Sequence, residues 1–296
     1  MSEVERSLGV WARAWRELRS NRSAIVSLWM VITMAFLALG ADFIANDKPY
    51  YMRLDGEAYF PIFIEYGVAV GIRRWPAPLA NADFKRLEER ADESLWPPIP
   101  HSPTRVDLRG ETLAEPSGEH WFGTDRLGRD VAAGMIHGTR ISLTIGLVVV
   151  AIQALVGILF GALAGYYGGW VDLAVSRFLE MMLGIPTFFL LITVAAIFPP
   201  SIYLIMVILG LTGWMGIARF IRSEFLRVRE QEFVEAAKSL GASDRRVMLR
   251  HILPNALAPV LVAMAFGVAT AVLAESGLSF LGIGVPAHLV TWGSIL

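Results

Sequence analysis

The 296-residue sequence has no cysteine and few charged side chains. The absence of cysteine excludes disulfides, thiolate metal sites and a cysteine nucleophile. Only 18% of the residues are Asp, Glu, Lys or Arg, whereas soluble domains average about 25%. The formal net charge is −1, so the chain has no basic surplus for nucleic acid, and no nucleic-acid partner is expected.

Lysine is also scarce, and the chain contains three: Lys48, Lys85 and Lys238. A phosphate-binding P-loop has Gly immediately before its Lys. The residues before the three lysines are Asp47, Phe84 and Ala237. The sequence therefore has no P-loop, which excludes nucleotide hydrolysis by that route, and no cofactor is expected to bind this chain.

Long apolar runs accompany this shortage of charge, and 55% of the residues are hydrophobic. A helix needs about 20 apolar residues to cross a bilayer. Five stretches come close to or exceed that length: 23–41, 141–166, 173–198, 201–218 and 256–281. A cleaved signal peptide is the alternative for the first, but this run exceeds the usual apolar core of about 7–15 residues. The sequence thus predicts a multi-pass membrane protein with an uncleaved first helix.

Between the first two spans, residues 42–140 are polar and rich in proline, which predicts a water-exposed segment. Arginines cluster in the N-terminal tail, 1–22, and in a charged loop at 219–255. Four predicted spans separate the two clusters, so both lie on one side of the membrane. The positive-inside rule makes that side cytoplasmic and places the 42–140 segment in the periplasm.

Three ionisable residues within predicted spans are candidates for the substrate pathway or for a contact between subunits. Arg177 and Glu180 are three residues apart on one helix face and can pair, so a purely structural pair is the alternative. Glu275 lies late in the last span, where packing is an equally good explanation. The five histidines show no metal-ligand spacing, and no metal site is expected: His101, His120, His137, His251 and His288.

Gly157, Gly161 and Gly165 recur every four residues in the second span. Glycines at this spacing line one helix face and let another helix approach closely. We therefore expect a neighbouring helix to pack directly on this face.

The charged loop has the pattern of two helices joined at a corner. Residues 230–240 predict the first helix, and Gly241 stands where a left-handed residue would end it. Ser243 can cap a second helix that runs to about Leu253, with Pro254 ending it. A solvated amphipathic loop is the alternative.

The residues of this loop are similar to a known motif. EAAKSLG (235–241), nine residues and HILP (251–254) resemble the EAA loop of ABC importer permeases, with His251 where the general pattern has Ile. Other segments resemble the oligopeptide, dipeptide and nickel branch: FGTDRLGRD (122–130), GTRISL (138–143), GYYGGWVD (165–172), AESGLSFLGIGV (274–285) and WGS (292–294).

The resemblance implies an all-α polytopic bundle, the transmembrane domain of a type I ABC importer, with its permease core at 141–296 and a periplasmic insert. It implies a chain of the bacterial inner membrane that forms half of a translocation pathway. The implied partners are a second homologous permease, one or two ATPase subunits that bind ATP and Mg²⁺, and a periplasmic solute-binding protein. The residues implied to couple to the ATPase are Glu235, Ala236, Ala237, Gly241, Arg245, Arg246, His251, Leu253 and Pro254.

The N-terminal third adds a finer resemblance. IANDKP (44–49) and R-x-D-G-x-x-Y-F-P (53–61) are similar to Yej-type permeases, which implies peptides, oligopeptides or microcin C as substrates. Nickel or another small solute is the alternative within the family. A transporter that works without an ATPase, or a membrane enzyme, is the alternative from another class, but the sequence shows no inverted repeats and no nucleophile–base cluster.

The family has one further spanning helix after the WGS motif, whereas this sequence ends at Leu296. The resemblance therefore leads us to expect that the chain is truncated and that about 40 residues with a sixth helix would follow.

Overall fold

The computed structural model describes residues 10–80, 82–106, 112–286 and 289–295. Residues 1–9 of the predicted tail, His288 and Leu296 lie outside the described residues. The chain forms two compact units, 1–140 and 141–296.

The described part of the first unit begins with two consecutive helices, α1 (Val10–Ser20) and α2 (Arg22–Ile44). Asn21 separates them, and its side-chain oxygen accepts hydrogen bonds from the backbone of Ser23 and Ala24. This is the usual cap of a helix N-terminus. The 23 residues of α2 are long and apolar enough to cross a membrane.

A small antiparallel sheet follows, with strands β1 (Tyr51–Leu54), β2 (Glu57–Tyr59) and β3 (Glu93–Leu95) in the order β2-β1-β3. Asp55 and Gly56 form the tight turn between β1 and β2, both with positive φ, as a two-residue hairpin requires. Two short helices, α3 (Pro61–Ala69) and α4 (Phe84–Glu88), complete this part. Its buried core comprises Met52, Leu54, Ile64, Leu79 and Phe84.

Polar contacts join the end of α2 to other parts of the 42–140 segment, which we call the insert. The Asp42 carboxylate accepts from the Tyr66 hydroxyl at 2.6 Å and from Arg140 at 2.9 Å. Burial and the hydrogen bond to Asp42 raise the pKa of Tyr66 to about 12, which keeps the phenol protonated as a donor. His137 Nε2 lies 2.7 Å from the carbonyl oxygen of Ala45. The insert is therefore fixed to both of its flanking helices.

A 37-residue helix, α5 (Val131–Tyr167), runs from the first unit into the second. The remaining elements are α6 (Gly169–Leu183), α7 (Thr187–Ile197), α8 (Ile202–Arg229), α9 (Glu232–Ser239), α10 (Asp244–Arg246), a π-helical segment (Val247–Ile252), α11 (Leu253–Phe280) and α12 (Trp292–Ile295).

Four continuous helical stretches in the described residues are long and apolar enough to span a membrane. A fifth candidate is the pair α6 and α7, which bends by 63° at the break that contains Pro186. The predicted class, a polytopic helical membrane protein, is confirmed. The all-α description omitted the three-stranded sheet, because its strands have only three or four residues and show no extended alternation.

The glycine stripe of α5 packs on α8, and the predicted close approach is confirmed. A Cβ atom on Gly161 would lie 2.4 Å from the carbonyl oxygen of Ala218, and one on Gly165 would lie 2.6 Å from Cβ of Phe225. A methyl group would collide at either place, so only glycine permits this separation of the two helices.

Two element ends differ from the sequence prediction. The fourth span does not end at 218, because α8 continues to Arg229 with Ile221, Phe225 and Val228 buried at helical spacing. Pro254 does not end the second helix of the charged loop, because residues 244–280 form one continuous stretch. A proline ring clashes with the carbonyl four residues earlier, and the π-helical turn before it accommodates that clash with wider hydrogen bonding.

Candidate functional site

Residues 230–252, which we call the corner segment, contain a sharp and well-formed turn. Gly241 has a φ of +80°. Its N–H donates to the carbonyl of Lys238 at 2.9 Å, and the N–H of Ala242 donates to the carbonyl of Ala237 at 3.1 Å. These two bonds define a Schellman motif, in which a left-handed glycine ends a helix. Ser243 occupies the next N-cap position, but its side chain makes no capping hydrogen bond.

Tyr166, at the end of α5, holds both sides of this corner. Its hydroxyl donates to Asp244 Oδ1 at 2.6 Å, just after the turn. The ammonium of Lys238, just before the turn, lies 5.2 Å from the centre of the Tyr166 ring, within the range of a cation–π contact. Arg229 donates to the backbone carbonyl of Tyr166 at 3.0 Å. One aromatic side chain therefore sets the position of the corner, a role that the sequence analysis missed.

The GYYGGWVD motif, residues 165–172, explains how Tyr166 reaches this position. Gly168 and Gly169 both have positive φ and form the tight turn between α5 and α6. Asp172 on α6 accepts two hydrogen bonds from the guanidinium of Arg222 on α8, one of them at 2.6 Å. The motif thus connects three helices at the end of the bundle that carries the corner segment. The glycines, aromatic residues and aspartate of this motif are the sequence signal that could have identified Tyr166 as a positioning residue.

The structure separates the residues proposed for coupling into a buried and an exposed set. Ala237 is 9% exposed and packs against its own chain beside Val234, which is fully buried. Ala237 therefore lies on the inner face of α9, and its role in coupling to the ATPase stays a prediction. Ala236 lies on the outer face instead.

The outer surface of the corner segment combines apolar and charged side chains. Leu240 is 88% exposed, Leu249 is 53% exposed and Phe233 is 40% exposed. Glu235, Gly241, Arg245 and Arg246 are also exposed. Among the described residues Glu235 forms no ion pair with Arg245 or Arg246, so these charges remain available to another molecule.

The HILP residues lie where the corner segment joins α11. The carbonyl oxygen of His251 accepts from the Asn255 side chain at 2.7 Å. Leu253 packs against a buried cluster that includes Val247 and Ile252, while Pro254 is exposed. This cluster anchors the corner segment to the ends of the spans.

Glu275 occupies a second polar site, formed by three of the family-like motifs. Its side chain is fully buried, and Oε1 accepts from Ser279 at 2.6 Å and from Thr291 at 2.8 Å. The backbone N–H of Trp292 donates to the Ser142 hydroxyl at 3.1 Å. A Cβ atom on Gly293 would lie 2.3 Å from Cα of Ser276, so the WGS segment lies directly on α11. Glu275 therefore joins elements within this chain.

Arg177 and Glu180 form an ion pair of 2.6 Å on α6, with both side chains more than half exposed. A cavity of about 410 Å³ lies elsewhere in the second unit, among α5, α8 and α11. The described residues that line this cavity do not include Arg177, Glu180 or Glu275. Its polar lining comes instead from Gln153, Thr187, Thr212 and Thr270.

Comparisons with known proteins agree with this architecture. Residues 157–296 match the family described as binding-protein-dependent transport system inner membrane component. Residues 9–61 match the N-terminal TM domain of oligopeptide transport permease C. The chain is 38% identical over 290 residues to the inner membrane ABC transporter permease protein YejE of Escherichia coli (strain K12), covering 95% of this chain and 84% of that protein.

Two further relatives extend over nearly the whole chain. The peptidoglycan transport system permease protein YejE of Agrobacterium fabrum is 35% identical, with 96% of this chain and 82% of that protein covered. The oligopeptide transport system permease protein OppC of Bacillus subtilis is 30% identical, with 98% and 77% covered. These similarities extend well beyond the core domain. The chain belongs to the binding-protein-dependent transport inner membrane components: it is a multi-pass inner-membrane permease subunit of an ABC importer in the peptide and oligopeptide transport family, and it is not itself catalytic.

Proposed function

We propose that this chain forms half of a translocation pathway for peptides or peptide-like compounds and couples to a separate ATPase through the corner segment. The observation that supports this most strongly is the rigid, exposed corner at Gly241. Its turn is fully hydrogen-bonded, Tyr166 holds it from both sides, and its outer surface carries unpartnered apolar groups. A solvated linker would need none of these features.

The connections of the corner segment suit the transmission of a rigid-body motion. On one side, the corner segment follows α8 directly, and only residues 230 and 231 separate α8 from α9. On the other side it continues without interruption into α11, because the helical stretch 244–280 has no break. A push on the corner would therefore tilt α11 directly. Small displacements at one site become domain movements when the connecting elements are stiff and packed.

The composition of the outer surface suits a protein partner. Leu240 and Phe233 offer apolar area that gains free energy when a partner removes it from water. Glu235, Arg245 and Arg246 provide charges at the rim, which favour orientation and specificity. We assign this surface to a groove of the ATPase, which would carry the ATP and Mg²⁺.

The remaining partners follow from the family. A binding-protein-dependent system implies a solute-binding protein that delivers substrate, and we propose that it docks on the periplasmic side. A second, homologous permease would complete the pathway. We propose that the N-terminal tail and the corner segment lie in the cytoplasm and the 42–140 insert outside, because this arrangement satisfies the positive-inside rule for both arginine clusters.

The cavity among α5, α8 and α11 is the candidate for this chain's share of the pathway. Its lining mixes apolar side chains with hydroxyl and amide groups, which suits a peptide better than a bare ion. Oligopeptides and microcin C are the proposed substrates, in line with the Yej-type and oligopeptide relatives. Nickel is the alternative, and its hexa-aqua ion would meet no carboxylate or histidine among the described lining residues.

Gly241→Val tests the coupling. A β-branched residue in a left-handed conformation costs about 1–2 kcal/mol, so the corner should open. A Cβ atom at Gly241 meets no described atom within 4 Å, so the effect is conformational and not a clash. We expect normal membrane insertion with most of the substrate-stimulated ATP hydrolysis lost in a reconstituted complex.

Gly71→Val is the matched control, because Gly71 also has a positive φ, +77°, with no described atom in the way, but lies in the insert. It should leave stimulated hydrolysis near wild type. Glu235→Lys should weaken ATPase copurification by reversing a charge at the contact. Wild-type coupling in both Gly241→Val and Glu235→Lys would refute the proposed docking surface.

A further inference from the structure

Two histidines and a glutamate of the insert come together in space. His101, Glu119 and His120 each offer one ligand atom, and the three atoms lie within 4.8 Å of one another. The ring centres of His101 and His120 are 4.4 Å apart. Sequence spacing did not indicate a metal site here, because His101 and Glu119 are 18 positions apart in the chain and local spacing carries no information about such an approach.

The ring of His120 is held in the manner of a metal-binding histidine. Its Nδ1 lies 2.8 Å from Oδ2 of Asp130, whose side chain is 1% exposed. Asp130 is itself fixed, because its Oδ1 accepts from the backbone N–H of Ala133 at the start of α5. A carboxylate on Nδ1 keeps the proton there and leaves Nε2 with a free lone pair. This carboxylate–histidine arrangement orients most histidine ligands of metals.

The ring of His101 is oriented by the backbone. Its Nε2 lies 3.1 Å from the carbonyl oxygen of Glu119. A carbonyl can only accept a hydrogen bond, so Nε2 carries the proton and Nδ1 carries the lone pair. Both histidines are thereby fixed as single tautomers, each with one nitrogen available as a ligand.

Glu119 supplies a carboxylate that can move. Its side chain is 73% exposed, and Oε1 lies 3.9 Å from the ammonium of Lys85. Metal–nitrogen and metal–oxygen bonds of about 2.0–2.1 Å in a tetrahedron place ligand atoms roughly 3.3 Å apart. Rotation of the exposed Glu119 side chain can achieve that closure, with the cation replacing Lys85 as its counter-charge.

We propose that His101, Glu119 and His120 bind a divalent transition-metal cation of the Zn²⁺ type in the insert. Imidazole and carboxylate ligands suit Zn²⁺, and three protein ligands leave the fourth position to water. Both rings border a cavity of about 310 Å³ that gives the cation access from solvent. The bound cation would fasten the segment around His101 to the loop that leads into α5.

The test is zinc binding by the full-length chain, purified in detergent without a histidine tag and stripped with a chelator. We expect one Zn²⁺ per chain by elemental analysis, a micromolar or tighter dissociation constant by competition with a chromophoric indicator, and a higher melting temperature with zinc. His101→Gln and His120→Gln should abolish all three effects. Asp130→Asn should weaken binding by about 10–100-fold, since it disturbs only the orientation of His120.

His251→Gln is the matched control, because it removes a histidine from the corner segment and should leave zinc binding unchanged. Lys85→Gln should tighten binding, because it removes the cation that competes for Glu119. Helix content by circular dichroism shows that each variant is folded. Absence of zinc binding by the wild-type chain, or wild-type affinity in folded His101→Gln and His120→Gln, would overturn the proposal.

Discussion

Glu275 links two segments of the second unit through hydrogen bonds to its side chain. Its fully buried Oε1 accepts from a hydroxyl four residues later on α11 and from Thr291 before α12. Its other oxygen has no hydrogen-bond partner among the described residues. A buried donor that loses its acceptor costs about 1–3 kcal/mol, so this carboxylate stabilises the fold through the two hydroxyl groups that it satisfies.

We expect Glu275→Ala to destabilise the chain by about 1–3 kcal/mol, because Ser279 and Thr291 would lose their common acceptor. Glu275→Gln keeps an acceptor oxygen and should stay much closer to wild type. Thermal unfolding of the detergent-solubilised chain measures both variants. An unchanged melting temperature in Glu275→Ala would show that the network contributes nothing to stability.

For single residues, the sequence predicted local conformation and local pairs better than it predicted contacts between distant residues. Gly241 was predicted as a left-handed helix end, and its φ is +80°. The spacing of Arg177 and Glu180 indicated the pair that forms. Tyr166 and the Asp172–Arg222 pair were missed, because each joins residues at least 50 positions apart and local spacing carries no information about such contacts.

Among the elements, the packing of α5 on α8 is the most constrained. Successive glycines of α5 face successive turns of α8, and a Cβ atom on any of them would lie less than 3 Å from a backbone or Cβ atom of α8. Close approach of this kind replaces the hydrophobic effect as the source of helix association inside a membrane. The same contact positions Tyr166 next to the corner segment, since Gly165 precedes it directly.

Gly161→Ala should force the two helices apart, because its Cβ would lie 2.4 Å from the carbonyl oxygen of Ala218. Overpacking of this kind typically costs about 1–3 kcal/mol. Gly277→Ala is the control, since a Cβ there meets no described atom within 4 Å and alanine is the better helix former by about 1 kcal/mol. A melting temperature that falls in Gly277→Ala as much as in Gly161→Ala would contradict this explanation.

Hydrophobic length predicted where most of the helices lie, but not where they end. The fourth span was predicted to stop at 218 because arginines begin there, yet Ile221, Phe225 and Val228 continue its buried face to Arg229. Pro254 was predicted to end a helix, yet the π-helical turn before it lets the helix continue. The first difference arises because tertiary packing outweighs a local charge signal, and the second because a local π-helical turn relieves the proline clash.

For the whole molecule, we propose that the insert and the corner segment lie on opposite sides of the membrane. Of these two segments, the corner segment should therefore meet the ATPase. The positive-inside rule supports this arrangement, and we propose that the work of ATP hydrolysis reaches the chain from a separate subunit. The chain has no cysteine, so a single introduced cysteine can report on one position without background.

The most direct test places a photo-activatable cross-linker on a cysteine that replaces Leu240, which is 88% exposed at the corner. The matched variant carries it at Glu57, an exposed residue of β2 in the insert. In the assembled complex, we expect Leu240→Cys to form an adduct with the ATPase subunit and Glu57→Cys to form none. An adduct from Glu57→Cys, or none from a fully labelled Leu240→Cys, would contradict the claim that this corner receives the ATPase.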